Sequence, residues 1–239
     1  MNMRTEYNPS GYAPFLIFVR GYGIMSMIFR DAPKEGDNMS AIIGVCGVEF
    51  CAFIADMRVV TIDENDNEKF ANDNTQKIFK LNDNVLFGAT GRFNRSEDFF
   101  SPLKCFSTFN GLTITAVCTA VKEYMSGNMG ILKRNKARTY LIGGKGSSGT
   151  YTLRVIKYDA TNNKIVDEDY TPPSAVTTSY ALALPTQAKL QEPRFTLMMG
   201  EVIRNATTVQ EVADGAKLVI REIAKVDSTV SEKTMALGC

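Results

Sequence analysis

With 239 residues, 44% hydrophobic and 22% charged, the chain suits one large domain or two small ones and has a globular composition. Its formal net charge of +1 gives no electrostatic reason to expect nucleic acid or an acidic membrane as partner. Histidine is absent, which excludes Ser-His-Asp and Cys-His mechanisms and most catalytic zinc and non-haem iron sites. Acid–base chemistry near neutral pH is then left to a carboxylate, a shifted lysine, a cysteine or a free α-amino group. The five cysteines, Cys46, Cys51, Cys105, Cys118 and Cys239, form no C-x-x-C pair and signal neither zinc nor a disulfide framework. They fit reduced thiols in a cytoplasmic protein, and no cofactor is indicated.

Residues 1–39 read differently from the rest. Tyr12–Phe29 is apolar only in patches, broken by Pro14, Arg20, Gly21 and Gly23, too interrupted for a membrane span. Arg4 ahead of an apolar patch sketches a signal peptide, yet Asp31–Met39 is polar and lacks a small-residue cleavage pattern. The stretch is read as a pre-segment outside the folded domain, either a propeptide or sequence upstream of a start at Met39. An ordinary ordered arm is the alternative.

The organising stretch is Ser40–Arg58. Its two apolar runs, Ala41–Cys46 and Phe50–Ala55, flank Gly47 and predict an antiparallel hairpin. Neither run alternates with polar residues, so both faces should be covered. Ser40 opens the first strand, and Asp56 and Arg58 close the second. A hairpin brings these ends side by side, where a hydroxyl and a buried carboxylate could build a site.

Asp63–Gln76 is polar and reads as a loop or an exposed ribbon tip. Lys77–Leu81 and Val85–Ala89 predict a second hairpin across Asn82-Asp83-Asn84. Arg92–Lys104 predicts a helix ending near Pro102. Leu112–Met125 predicts a better one, with Ile114, Val117, Cys118, Val121, Tyr124 and Met125 at helical spacing. Strands are expected at Ala137–Gly143, Thr150–Tyr158, Ile165–Tyr170 and Ala175–Leu182, with a Gly/Ser turn at Gly143–Gly149. Pro185–Asn205 predicts an irregular helix and Val209–Ala224 a clear one, opened by a Thr208/Glu211 capping box. Thr229–Leu237 predicts a final strand. Local hairpins and grouped helices favour two antiparallel sheets with helices outside.

Over residues 40–237 the chain resembles the proteasome β-subunit family of N-terminal-nucleophile hydrolases. Ser40-Ala41-Ile42-Ile43-Gly44-Val45 is similar to the family's opening strand, whose first residue is the nucleophile. Ala55-Asp56-Met57-Arg58 resembles its A-D-x-R motif, and Gln76-Lys77-Ile78-Phe79 the segment bearing its active-site lysine. Val85–Gly91 resembles the next strand and glycine turn, Thr208–Ile223 the late helix, and Asp227-Ser228 the Asp-Ser step. The chain departs from the family in several places. Serine stands where threonine is usual, Thr178–Leu184 shows no Ser-Gly motif, Val230 replaces a late serine, and the 63–76 loop is longer.

The resemblance implies a four-layer αββα sandwich over 40–239 and hydrolysis of peptide bonds in a homo-oligomeric ring, with an ATPase regulator as a further partner. Ser40 would be the nucleophile once its α-amino group is free to act as base. That amine has a pKa of about 7.7–8, against about 10.4 for a free lysine. Lys77 would put a positive charge beside Oγ, Asp56 would hold it charged, and the Gly88 N–H would bind the oxyanion. Asp227 with Ser228 would support the terminal amine. Two alternatives stay open: a small-molecule amidohydrolase of the same fold, and a catalytically silent ring-forming subunit. Each residue also has a plain structural reading. Ser40 could simply open a strand, Asp56 and Arg58 pair at a strand end, Lys77 be solvated, and Gly88 and Gly91 serve a turn. Asp227-Ser228 could simply stop the last helix.

Overall fold

The computed structural model describes residues 24–25, 40–62, 68–91, 96–130, 132, 138–173 and 177–239. The first hairpin forms as β2 (Ile42–Cys46) and β3 (Cys51–Asp56), every residue of both strands buried. Continuous apolar runs demand cover on both faces, and these two strands occupy the centre of a five-stranded sheet. Its order is β1-β11-β2-β3-β12, with β1 at Ile24–Met25, β11 at Thr178–Ala183 and β12 at Thr234–Gly238. All pairings are antiparallel except β1, which lies parallel to β11 with Ile24 opposite Thr178. Of the expected pre-segment, these two residues therefore lie on the domain, and the remainder falls outside the described residues.

The 63–76 stretch was expected as loop or ribbon tip. Its described part contributes β5 (Glu68–Asn72), which pairs with β4 (Val59–Ile62) in a separate two-stranded ribbon. The second hairpin is β6 (Ile78–Asn82) and β7 (Val85–Gly91). It starts the second sheet, whose order is β10-β9-β8-β7-β6. The remaining strands are β8 (Arg138–Lys145), β9 (Tyr151–Asp159) and β10 (Lys164–Asp169), all antiparallel.

The helices cover the outer faces. α1 (Ile114–Gly127) starts where the Thr113 side chain accepts from the Ala116 N–H, and it packs Val117, Val121 and Met125 on the second sheet. The helix expected over 92–104 is instead a 3-10 helix at Ser96–Leu103, since Pro102 lacks the N–H a longer α-helix needs; its expected start lies outside the described residues. The irregular 185–205 segment splits into α2 (Thr186–Lys189) and α3 (Glu192–Asn205), with Pro193 in the first turn of α3. α4 (Val209–Ala224) carries the capping box in full: the Thr208 hydroxyl accepts from the Glu211 N–H while Glu211 accepts from the Thr208 N–H.

Three apolar layers result. One lies between α3–α4 and the first sheet, one between the two sheets, and one between the second sheet and α1. The middle layer includes Ile42, Phe53, Ile78, Leu86 and Leu141, none measurably exposed. Each such side chain contributes about 1.5–3 kcal/mol by leaving water. The architecture is therefore the four-layer αββα sandwich. Among the described residues no helix is long and apolar enough to cross a membrane.

Candidate active site

The centre of the site is Asp56, at the end of β3 and fully buried. A carboxylate held there needs donors on both oxygens. Oδ1 accepts from the Ala41 N–H and from Lys77 Nζ, each at 2.9 Å. Oδ2 accepts from Nζ and the Arg58 N–H at 2.9 Å, and from the Ser231 N–H at 3.3 Å. One side chain thus ties together the start of β2, the chain leaving β3, the start of β6 and the approach to β12.

Lys77 is 1% exposed and is not the solvated lysine of the plain reading. It sits just before β6, so its side chain enters the gap between the sheets rather than leaving an edge. Burial pulls its pKa below the ordinary lysine value, and the charge and hydrogen bonds of Asp56 oppose that. Asp56 accepts Nζ and the amide of Ala41 on the same oxygen, so Lys77 and the peptide following Ser40 lie two hydrogen bonds apart. Ser40 itself is buried, and its carbonyl accepts from the Thr90 hydroxyl at 3.2 Å. Sequence reasoning missed Thr90; its place in the strand after Gly88, facing inward among apolar neighbours, was the available signal.

Arg58 departs from the expected pairing with Asp56. Its guanidinium grips Asp73 with Nε and Nη2 at 2.8 and 2.9 Å, and Nη1 donates to the Ser228 carbonyl at 2.9 Å. Its backbone N–H donates to Asp56. A planar fork matches a carboxylate lying beside the strand better than one already filled by amides and a lysine. The fork holds the Asp73 carboxyl below its ordinary pKa.

Two expected roles find a different geometry. The Ala89 N–H donates to the Lys77 carbonyl at 3.1 Å, which turns the N–H of Gly88 the other way, towards its ladder partner Leu141 on β8. An amide engaged in a ladder is not free to bind an oxyanion, so that role is not carried to Gly88. The absent side chain has a packing reason instead: a Cβ there would stand 3.3 Å from Ile78. Asp227 is buried and faces the start of α2, accepting from Gln187 and Ala188 N–H at 3.1 and 3.3 Å and from the Thr229 N–H and hydroxyl at 3.0 and 2.5 Å. These bonds anchor a helix start, the expected task of a carboxylate at that place. Ser228 is exposed and is met by Arg58 at its carbonyl rather than its hydroxyl. The structure therefore brings Asp56, Lys77 and the peptide joining Ser40 to Ala41 together, and places Gly88, Asp227 and Ser228 around them in the contacts given above. Among the described residues no group of three or more Cys, Asp or Glu side chains could hold a metal ion.

Two antiparallel sheets packed face to face, with helices outside each, form a four-layer αββα sandwich, and a buried Lys–Asp pair lies where the first hairpin meets the second sheet. The structure of eukaryotic HslV from Trypanosoma brucei is similar, with a TM-score of 0.50 and 15% identity over 83% of this chain and 98% of HslV. Likeness at that identity speaks to the proteasome-like fold alone. No protein-family model matches the chain, and no curated protein matches it in sequence.

Proposed function

We propose that the chain is a proteasome-like peptidase that hydrolyses amides through Ser40 as an N-terminal nucleophile. The observation that supports this reading is the shared carboxylate: Asp56 accepts both Lys77 Nζ and the amide of Ala41, the residue that follows Ser40. In the proposed reaction the Ser40 Oγ–H proton passes to the neutral α-amine and Oγ bonds the scissile carbonyl carbon. The amine then returns the proton to the leaving nitrogen, and water hydrolyses the seryl ester. Lys77, kept charged by Asp56, favours the Oγ anion and keeps the neighbouring amine neutral. Without histidine, that amine is the group whose ordinary pKa suits the task.

The reaction needs Ser40 at a chain start, whereas here it follows Met39 in an unbroken peptide. The resemblance further implies a peptide or protein substrate, a homo-oligomeric ring and an ATPase regulator, and these belong to the same proposal. A second reading, a catalytically silent ring-forming subunit, is favoured by the Gly88 amide committed to its ladder and by the pairing of Ile24–Met25 with β11.

Intact mass of the protein from its native host separates the two. A chain beginning at Ser40 is expected for the peptidase, and a chain retaining Met39 removes the base. Ser40→Ala should then abolish hydrolysis of fluorogenic peptides while leaving the melting temperature unchanged. Undiminished turnover would refute Ser40 as nucleophile.

A further inference from the structure

Three of the five cysteines stand in one row across the first sheet. Cys46 on β2 lies directly opposite Cys51 on β3. Cys51 in turn faces Cys239, and these two exchange both backbone hydrogen bonds at 3.0 Å. Residues directly opposite on neighbouring strands point to the same face, so all three thiols project between the sheets. The two spacings follow from the ladder. Cys51 bonds its backbone towards β12, which makes Cys46–Cys51 the closer, non-hydrogen-bonded pair, with Cα atoms about 4.5 Å apart, and Cys51–Cys239 the wider one at about 5.5 Å. Both fall within the range of about 4.4–6.8 Å that a disulfide spans.

The opposite sheet is shaped around these sulfurs. A Cβ on Gly143 would stand 2.6 Å from Cys51 Sγ, and one on Gly144 would stand 3.2 Å from Cys239 Sγ. Gly143 thus leaves the volume that Cys51 fills, while Gly144, at φ +135°, is required by its own backbone and by the Asn84 carbonyl oxygen, which would stand 1.9 Å from a Cβ there. Cys46 and Cys51 are fully buried, within hydrogen-bonding reach of each other. Cys239 is only partly buried, so small molecules in solvent reach the row from its end.

We propose that Cys46, Cys51 and Cys239 form an oxidisable thiol relay, attacked by peroxide at Cys239 and resolved by Cys51. The Cys239 thiolate attacks one peroxide oxygen. The O–O bond breaks, water leaves, and Cys239 becomes a sulfenic acid. The Cys51 sulfur then attacks the Cys239 sulfur, the S–O bond breaks, a second water leaves, and a Cys51–Cys239 disulfide forms. The two thiols together give up two electrons and two protons, and peroxide accepts them. Attack of the Cys46 thiolate on the Cys51 sulfur moves the bridge to Cys46–Cys51 and returns Cys239 as a thiol, with no further oxidant. Burial raises the pKa of Cys51 and of Cys239, so the relay is slow at neutral pH and quickens as pH rises.

The full-length folded protein treated with hydrogen peroxide, then alkylated and mapped by peptide mass, tests this. The expected result is a Cys51–Cys239 bridge followed by a Cys46–Cys51 bridge, an intact mass lower by two hydrogens, and formation that accelerates with pH. Cys105, which is exposed and stands apart from the row, serves as the internal control for ordinary surface oxidation. Cys239→Ser should slow bridging strongly, and Cys51→Ala should leave no bridge within the row. Should Cys51→Ala fail to fold, the peptide map of the unsubstituted chain decides alone. Recovery of Cys239 solely as sulfinic or sulfonic acid, or bridges formed solely between chains through Cys105, would overturn the proposal.

Discussion

Two charged regions of this molecule obey opposite rules. The Asp56 centre is dry, holds one lysine and three backbone amides, and has no solvent to take over if a partner leaves. Strands β9 and β10 carry more ions, and these lie closer to solvent. On the α1 side Lys122 and Arg154 meet Asp167 at 2.9 and 2.7 Å, and on the face turned towards the first sheet Lys157 meets Glu168 at 3.0 Å. Distances are alike in both regions, so distance does not measure their worth. Desolvation does: an exposed pair contributes about 0.2–1 kcal/mol, whereas removing one partner of a buried pair costs about 3–5 kcal/mol.

Breaking the dry centre should give the largest effect. Asp56→Ala is expected to lower stability by about 3–5 kcal/mol in denaturant titration, because it strands a buried ammonium and three amides at once. Lys77→Met should cost less, since the remaining carboxylate still accepts those amides. The double variant sharpens the contrast. Many buried ion pairs can be replaced by apolar side chains at little cost, but here both substitutions together should not restore stability, because the amides of Ala41, Arg58 and Ser231 would still lack an acceptor.

Beside Lys157 and Glu168 lies one buried carboxyl, Glu192 at the start of α3. Burial pushes its pKa from an ordinary 4.5 up to about 7, with Lys189 and Lys157 pulling the other way and Glu168 adding to the rise. A raised carboxyl pKa means the folded chain holds a proton the unfolded chain has lost, so stability falls as pH rises from about 4.5 to 7. Glu192→Gln should therefore stabilise the protein above pH 7, by up to roughly 3 kcal/mol, and make no difference in acid below the ordinary carboxylate range. Equal effects at both pH values would show that the side chain is lost for packing rather than for charge.

The smallest effect belongs to the open pairs. Lys122→Ala should change stability by about 0.2–1 kcal/mol and less in high salt. Burial alone would raise the Asp167 pKa, but Lys122 and Arg154 outweigh it and hold the carboxyl below its ordinary value. A depressed carboxylate stabilises above its unfolded pKa and loses that contribution as pH falls through the folded value. The difference between Asp167→Asn and the unsubstituted protein should accordingly vanish in strong acid.

The fold was legible because its signals are local. Ala41–Cys46 and Phe50–Ala55 have no polar residue with which to face water, and Val212, Ala216, Val219, Ile220 and Ile223 recur at one helical face. The ends of elements were less legible: the break between α2 and α3, for one, depends on packing. At the site, the closeness of Ser40, Asp56 and Lys77 follows from two hairpins whose turns are readable. The partner of Arg58 was not readable, since Asp73 reaches it only because the β4–β5 ribbon folds back. Nor was the task of Asp227, which depends on where the start of α2 lands, forty residues earlier in the chain.

The pairing of Ile24–Met25 with β11 carries a consequence for maturation. In the proposed peptidase, cutting ahead of Ser40 would free a nitrogen for chemistry and would also let the escort strand drift away, baring a rim of unsatisfied peptide groups at Thr178 and Ser179. There, the scission that frees Ser40 would create, in the same event, a template on which a neighbouring backbone can zip.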